Sequence, residues 1–207
     1  MPDFKGLIVI TGASRGIGLA LVYCFLKAGF PVLAIARNAA SMRPHKHLTS
    51  LDADLTDQTI IAGIADRVEM MALPIAVLIN NAGIQNAIDF TEASIGAETI
   101  ARMMRDEIAL NLTVPILLIH SLLPLMLRPG GTIVNVTSLV SRQPKPSAPV
   151  YSATKAGLAS FTPIASGAIA VRGNSSGGSR AAAGGHGNDR WPRIWKNVSS
   201  SHGPFNF

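Results

Sequence analysis

The chain has 207 residues, 48% of them hydrophobic and 14% charged, with a mean hydropathy of +0.32, so it can bury the core of one domain and is not a disordered polymer. A single cysteine, Cys24, excludes a disulfide framework and a cysteine zinc site and points to a reducing, cytoplasmic setting. Of the net charge of +6, residues 164–207 carry +4, which puts the positive charge on a tail rather than in a groove and leaves nucleic acid as a weak alternative partner.

The first apolar run, Leu7–Thr11, has strand length and is too short for a signal-peptide core. It leads through Thr11-Gly12-Ala13-Ser14-Arg15-Gly16-Ile17-Gly18 into a predicted helix over 17–28, closed by Gly29 and Pro31. In such a turn Gly12 permits the tight bend, Gly16 lets backbone approach a pyrophosphate and Gly18 allows close packing of helix on strand. Ser14 and Ile17 share the turn, and the helix start offers unpaired N–H groups and a positive dipole to phosphates. A merely structural turn is the alternative reading. Cys24 falls on the apolar face of this helix and reads as packing.

A second strand, Val32–Ala36, ends at Arg37, where a dinucleotide site for NAD would carry a carboxylate against the ribose 2′-hydroxyl. A guanidinium there, with Arg15 reaching from the glycine turn, suits a 2′-phosphate and so NADP(H) over NAD(H). Two solvated surface arginines are the alternative. His45-Lys46-His47 lacks a third ligand nearby and reads as a solvated loop, so no metal site is expected.

Further strands are predicted at Leu48–Leu51, Ile75–Ile79 and Thr132–Val136, with helical spacing over 57–71, 97–127 and 151–162. The apolar run Leu112–Leu127 is interrupted by Pro115, His120 and Pro124, so no membrane span is expected. Strands alternating with helices imply an α/β, doubly wound parallel sheet of Rossmann type with helices on both faces. Ligands of such folds bind at the carboxyl ends of the strands, where strand order reverses.

Three more features stand where that site would need them. They are Asn80-Asn81-Ala82-Gly83 after the fourth strand, Ser138 after the fifth, and Tyr151-Ser152-Ala153-Thr154-Lys155 opening the next helix. With the glycine turn, they resemble the short-chain dehydrogenase/reductase family over residues 5–163. Asn80 to Gln85 and Asp106 to Pro115 are most similar to the DltE-like oxidoreductases within it.

The resemblance implies a metal-free hydride transfer between NADP(H) and a carbonyl or secondary alcohol, a small molecule of undetermined identity. Tyr151 matches the general acid/base, Ser138 the hydroxyl that positions the substrate oxygen, and Asn111 the helix asparagine of the proton relay. A free phenol has a pKa of about 10, and Lys155, one turn along the same helix face, is placed to favour the phenolate. In the family that lysine also holds the nicotinamide ribose, so Tyr151 and Lys155 count as coenzyme contacts too. Asp54 and Leu55 match the positions that meet adenine, Asn81, Ala82 and Gly83 border the coenzyme, and Asn80 is mainly structural.

After Pro163 the composition shifts to glycine, serine and basic residues, and no ordinary element is recognisable. The sixth and seventh strands of the family are missing, so the fold is expected to be C-terminally truncated. The expected division is a coenzyme-binding domain over 1–163 and an atypical basic tail over 164–207. Codons compatible with 179–198, read one nucleotide later, permit a Pro-, Val-, Thr- and Met-containing stretch resembling the missing family segment. That suggests a change of reading frame near Pro163. A homo-oligomer would be expected of the family, through helices near 97–127 and 151 onward, but the second of these is cut short here, so the interface is truncated and the oligomeric state is left open. The alternative to an active enzyme is a truncated, inactive NADP-binding or vestigial protein.

Overall fold

A computed structural model of the chain describes residues 6–57, 59–88, 96–126 and 131–173, with side chains described as far as Pro163. Five parallel strands, β1 (Leu7–Thr11), β2 (Val32–Ala36), β3 (Leu48–Asp52), β4 (Ile75–Asn80) and β5 (Thr132–Asn135), form one sheet in the order β3-β2-β1-β4-β5. Between them run α1 (Gly16–Lys27), α2 (Ile60–Met70), α3 (Ala97–Ile108) and α4 (Val114–Met126), and α5 (Pro149–Gly173) follows β5. The alternation expected from the sequence is therefore present, and every predicted strand is found to within a residue.

β1 and β2 are buried along their whole lengths because both faces of the sheet are covered, which is why they read as continuous apolar runs. Leu7, Val9, Leu33 and Ile35 point into one core with Ile61 and Ile64 of α2 and Leu118 and Leu122 of α4. Ile8, Ile10, Val32 and Ala34 point into the other with Leu21, Val22 and Phe25 of α1. A register irregularity between Leu7/Ile8 and β4 lets Ile75 and Val77 serve opposite cores, although a regular strand would put them on one face.

The predicted helix 97–127 is not uniform. A π-turn, Ala109–Thr113, separates α3 from α4, with the Val114 N–H donating to the Ala109 carbonyl five residues back. Pro115 follows at once and has no N–H to give to the Asn111 carbonyl, so the ordinary ladder is broken there in any case. The combined helix Ala97–Met126 is long and apolar enough by length and composition to cross a membrane, which the run counted from Leu112 alone did not suggest. Its second half is engaged by the sheet: Val114, Leu118, Ile119, Leu122 and Met126 all lie in the first core.

Helix α5 begins at Pro149, a residue suited to the first helical turn, and continues ten residues past Pro163 to Gly173. Pro163 removes one intrahelical donor without ending the helix, so an element exists where the sequence reading recognised none. Gly157 faces Leu112, and a Cβ added there would lie 3.3 Å from the leucine methyls, so this glycine lets α5 close on the π-turn. The expectations for the remainder of the tail fall outside the described residues.

Candidate active site

Strand order reverses between β1 and β4, and the turn after β1 opens there. Gly12 (φ 63°) and Gly16 (φ 54°) occupy the left-handed region. A Cβ on Gly12 would lie 2.8 Å from the Ala82 Cα, and one on Gly18 would lie 2.2 Å from the Gly12 carbonyl oxygen. Gly16 is different, since a Cβ there meets nothing within 4 Å. Gly12 and Gly18 thus serve packing, whereas the backbone at Gly16 borders open space.

The turn is fastened from the β4 side. Thr11 Oγ1 accepts hydrogen bonds from the Asn81 and Ala82 N–H groups at 3.0 and 3.1 Å. Asn81 Nδ2 donates to the Thr11 and Gly12 carbonyls at 3.1 Å each. Asn81 is therefore first of all a support for the glycine turn. Helix α1 starts without a side-chain cap and with no acidic residue in its first turn, which leaves its N–H groups and dipole to an anion.

A cleft with about 660 Å³ of space lies over this end of the sheet, a size suited to a coenzyme. All the expected coenzyme positions line it except Gly18, which is packed beneath, and Tyr151 and Lys155. At its far side Arg37 and Asp54 come together. The Asp54 carboxyl is held below its usual value by hydrogen bonds from the Thr56 N–H and hydroxyl, at 3.0 and 2.8 Å, with the Arg37 charge adding to the effect. Asp54 thus shapes its own turn as well as facing the cleft.

The other end of the cleft is bounded by Gly83 and Ile84, and beyond them stand the expected catalytic residues. A Cβ on Gly83 would lie 3.0 Å from Asn111 Oδ1 and 3.6 Å from Lys155 Nζ, so this glycine is where the cleft meets both. Asn111, on the π-turn, is fully buried. Its Oδ1 accepts from the Ile84 N–H at 2.9 Å, while its Nδ2 donates to the Ile84 carbonyl at 2.8 Å and to Thr154 Oγ1 at 3.3 Å. Lys155 Nζ donates to the Val136 carbonyl at 2.8 Å and lies 5.6 Å from the Tyr151 ring centroid. Ser138 starts a short 3₁₀ turn, Leu139–Ser141, its oxygen accepting from the Val140 N–H at 3.4 Å.

Burial governs the electrostatics. It pushes the Lys155 ammonium down to about 8. It also raises the Tyr151 phenol above its ordinary value; the Ser138 hydroxyl opposes that rise and the Glu107 charge adds to it. The expected acidifying influence of Lys155 on Tyr151 is thus not what governs the phenol here, because the lysine is itself desolvated and turned toward the Val136 carbonyl.

Asn80 plays the structural part expected of it, donating from Nδ2 to Asn135 Oδ1 at 2.8 Å across β4 and β5. Three contributors were not singled out from the sequence: Thr11, Thr154 and Glu107. Glu107 stands four residues before Asn111, on the side of the helix that meets the same loop, and that spacing was the available signal. His45 and His47 are exposed, their rings 5.7 Å apart, and among the described residues no group of three ligating side chains gathers around a metal position.

A profile described as short chain dehydrogenase matches residues 6–173. An uncharacterized oxidoreductase, DltE, of Bacillus subtilis is 37% identical over 166 residues, covering 75% of this chain and 62% of that protein. A metagenomic short-chain oxidoreductase in complex with NADP superposes with a TM-score of 0.71 at 28% identity, covering 82% of this chain and 78% of the other. 4-Hydroxyisoleucine dehydrogenase in complex with NADH gives a TM-score of 0.71 at 25% identity, covering 82% and 71%. The chain spans less than two thirds of the length of the curated relatives it matches, from 62% of DltE down to 28% of a short-chain type dehydrogenase/reductase of Sinorhizobium fredii.

Proposed function

The chain belongs to the short-chain dehydrogenase family, and from that premise we propose that it is an NADP(H)-preferring oxidoreductase acting on a carbonyl or secondary alcohol, with Tyr151 as general acid and base. One observation carries the reading: Asn111 and Lys155 converge on Gly83 at one end of a cleft whose other end is the uncapped glycine turn.

The residues present fit a dinucleotide. The open space at Gly16 and the free N-terminus of α1 suit a pyrophosphate, and Arg15 and Arg37 line the cleft where a 2′-phosphate would need donors. No carboxylate ends β2, and the nearby Asp52 accepts a hydrogen bond from the Ala40 N–H at 2.8 Å. Similar structures hold either NADP or NADH, so the preference rests on the two guanidinium groups. When bound, the nicotinamide would supply hydride to the carbonyl carbon or take it from the alcohol.

Tyr151, with its raised pKa, keeps its proton at neutral pH and would release it to the carbonyl oxygen as negative charge develops there. The Ser138 hydroxyl would hold that oxygen. Lys155, titrating at about 8, would exchange a proton with the phenol in either direction, and Asn111 keeps the loop at Ile84 in place beside it. A cytoplasmic setting belongs to the same proposal.

The test is NADPH consumption against a panel of ketones and aldehydes. Tyr151→Phe should lower kcat/KM by about 100-fold or more while NADPH affinity stays within a few-fold. Arg37→Asp should move the preference toward NADH. Binding of NADPH with no turnover of any carbonyl would instead favour a non-catalytic coenzyme-binding protein.

A further inference from the structure

Glu107 is fully buried on α3 and no arginine or lysine accompanies it among the described residues. Both of its carboxylate oxygens face the Asn86 N–H at 3.4 Å, and Asn86 Nδ2 donates to Oε2 at 3.2 Å while also reaching the Met103 carbonyl at 3.2 Å. Four residues on, Asn111 binds Ile84 through both its backbone groups. Two side chains of one helix therefore tie down the same loop, 83–86, whose Gly83 and Ile84 bound the cleft. A buried carboxylate held by amide donors alone, with no cationic partner among the described residues, is costly, and an apolar residue in the same space would avoid that cost.

We propose that Glu107 is a positioning residue for this reaction: its buried carboxylate fastens the loop after β4 to the helix that carries Asn111 and holds a negative charge on α3, which packs against the helix that carries Tyr151. The groups that act on that phenol are then the Ser138 hydroxyl from the turn after β5, Lys155 beside its ring on α5, and the charge of Glu107 from α3, which packs against α5. Glu107 is itself faced by Asn86, through both its backbone N–H and its side-chain amide. Burial raises its carboxyl above the usual value, with the two Asn86 donors opposing the rise, and its charge in turn disfavours the tyrosinate. It would thus help keep Tyr151 in the protonated form that donates to a carbonyl. The inference rests on the role proposed for Tyr151, but its electrostatic half can be measured without substrate.

The chain contains only two tyrosines, Tyr23 and Tyr151, and Tyr23 lies half-exposed on α1 away from the site. In a Tyr23→Phe background, the ultraviolet phenolate titration of the full chain reports Tyr151 alone. Glu107→Gln, which removes the charge and keeps an acceptor, should move that midpoint down by about half a pH unit or more. Amide hydrogen exchange at residues 84–86 should stay near the parent rate. Glu107→Leu, which relieves the buried charge and is expected to fold, should lower the midpoint similarly and accelerate that exchange. A midpoint unmoved in both variants, or exchange unaffected in Glu107→Leu, overturns the proposal. A shifted midpoint with faster exchange in Glu107→Leu, in a protein that reduces no carbonyl, would instead count against the enzymatic reading while leaving the loop fastening and the effect of the Glu107 charge on Tyr151 in place.

Discussion

Lys155 has been taken out of water without receiving a carboxylate among the described residues, and its ammonium relies on the Val136 carbonyl. Its pKa falls from an ordinary 10.5 to about 8, so below pH 8 the folded chain carries a buried charge that the unfolded chain solvates freely. The corresponding stability is present above 10.5 and lost as pH falls through about 8, and at neutral pH the cost is about 3 kcal/mol. Lys155→Met should therefore stabilise the unliganded protein at pH 7, with the gain closing between pH 8 and 10.5, while abolishing turnover. Equal denaturation midpoints for parent and variant at pH 7 would contradict this account. Tyr151, Lys155 and Ser138 could be named as candidates from the sequence because the proposed chemistry would need residue type and spacing together. Glu107 was not, because its role depends on Asn86, twenty-one residues away along the chain and adjacent only once the loop has folded back.

Among the elements, the turn from β1 into α1 was the most legible, since each glycine has a separate steric duty. Those duties predict different failures. Gly18→Ala drives a Cβ into the Gly12 carbonyl and the Asn81 amide and should destabilise the fold by about 1–3 kcal/mol or more. Gly16→Ala meets no neighbouring atom, so its folding cost is only that of holding φ at 54°, about 1–2 kcal/mol, yet its methyl points into space where a diphosphate would lie. Thermal melts and NADPH titrations of the pair should thus separate, the first variant losing more stability and the second losing more affinity than stability. A Gly16→Ala protein with parental NADPH affinity would remove the glycine turn from the coenzyme site. The π-turn at 109–113 was not legible, because apolar spacing reads straight through it and only the Pro115 beyond it hints at a broken ladder. The run of α5 past Pro163 was hidden for a related reason: proline and the small residues after it are poor helix signals.

Across the whole molecule, the alternation of strand and helix announced a doubly wound sheet, and the two faces emerged as two separate cores. What the alternation could not specify was the strand order. The reversal between β1 and β4 sets the glycine turn beside Asn81 and so brings both ends of the site to one edge of the sheet. The irregularity in β4 shows the same limit at finer grain, since side-chain facing after a bulge depends on the partner strand. The central claim is that this edge delivers a hydride and a proton to one carbonyl, and isotope transfer addresses it most directly. NADPH deuterated at C4 of the nicotinamide would be incubated with a reducible ketone, and the alcohol formed would be analysed by mass spectrometry. The account predicts deuterium on the carbinol carbon with the parent protein and almost none formed by Tyr151→Phe; coenzyme bound without labelled alcohol, or equal label from both proteins, would contradict it.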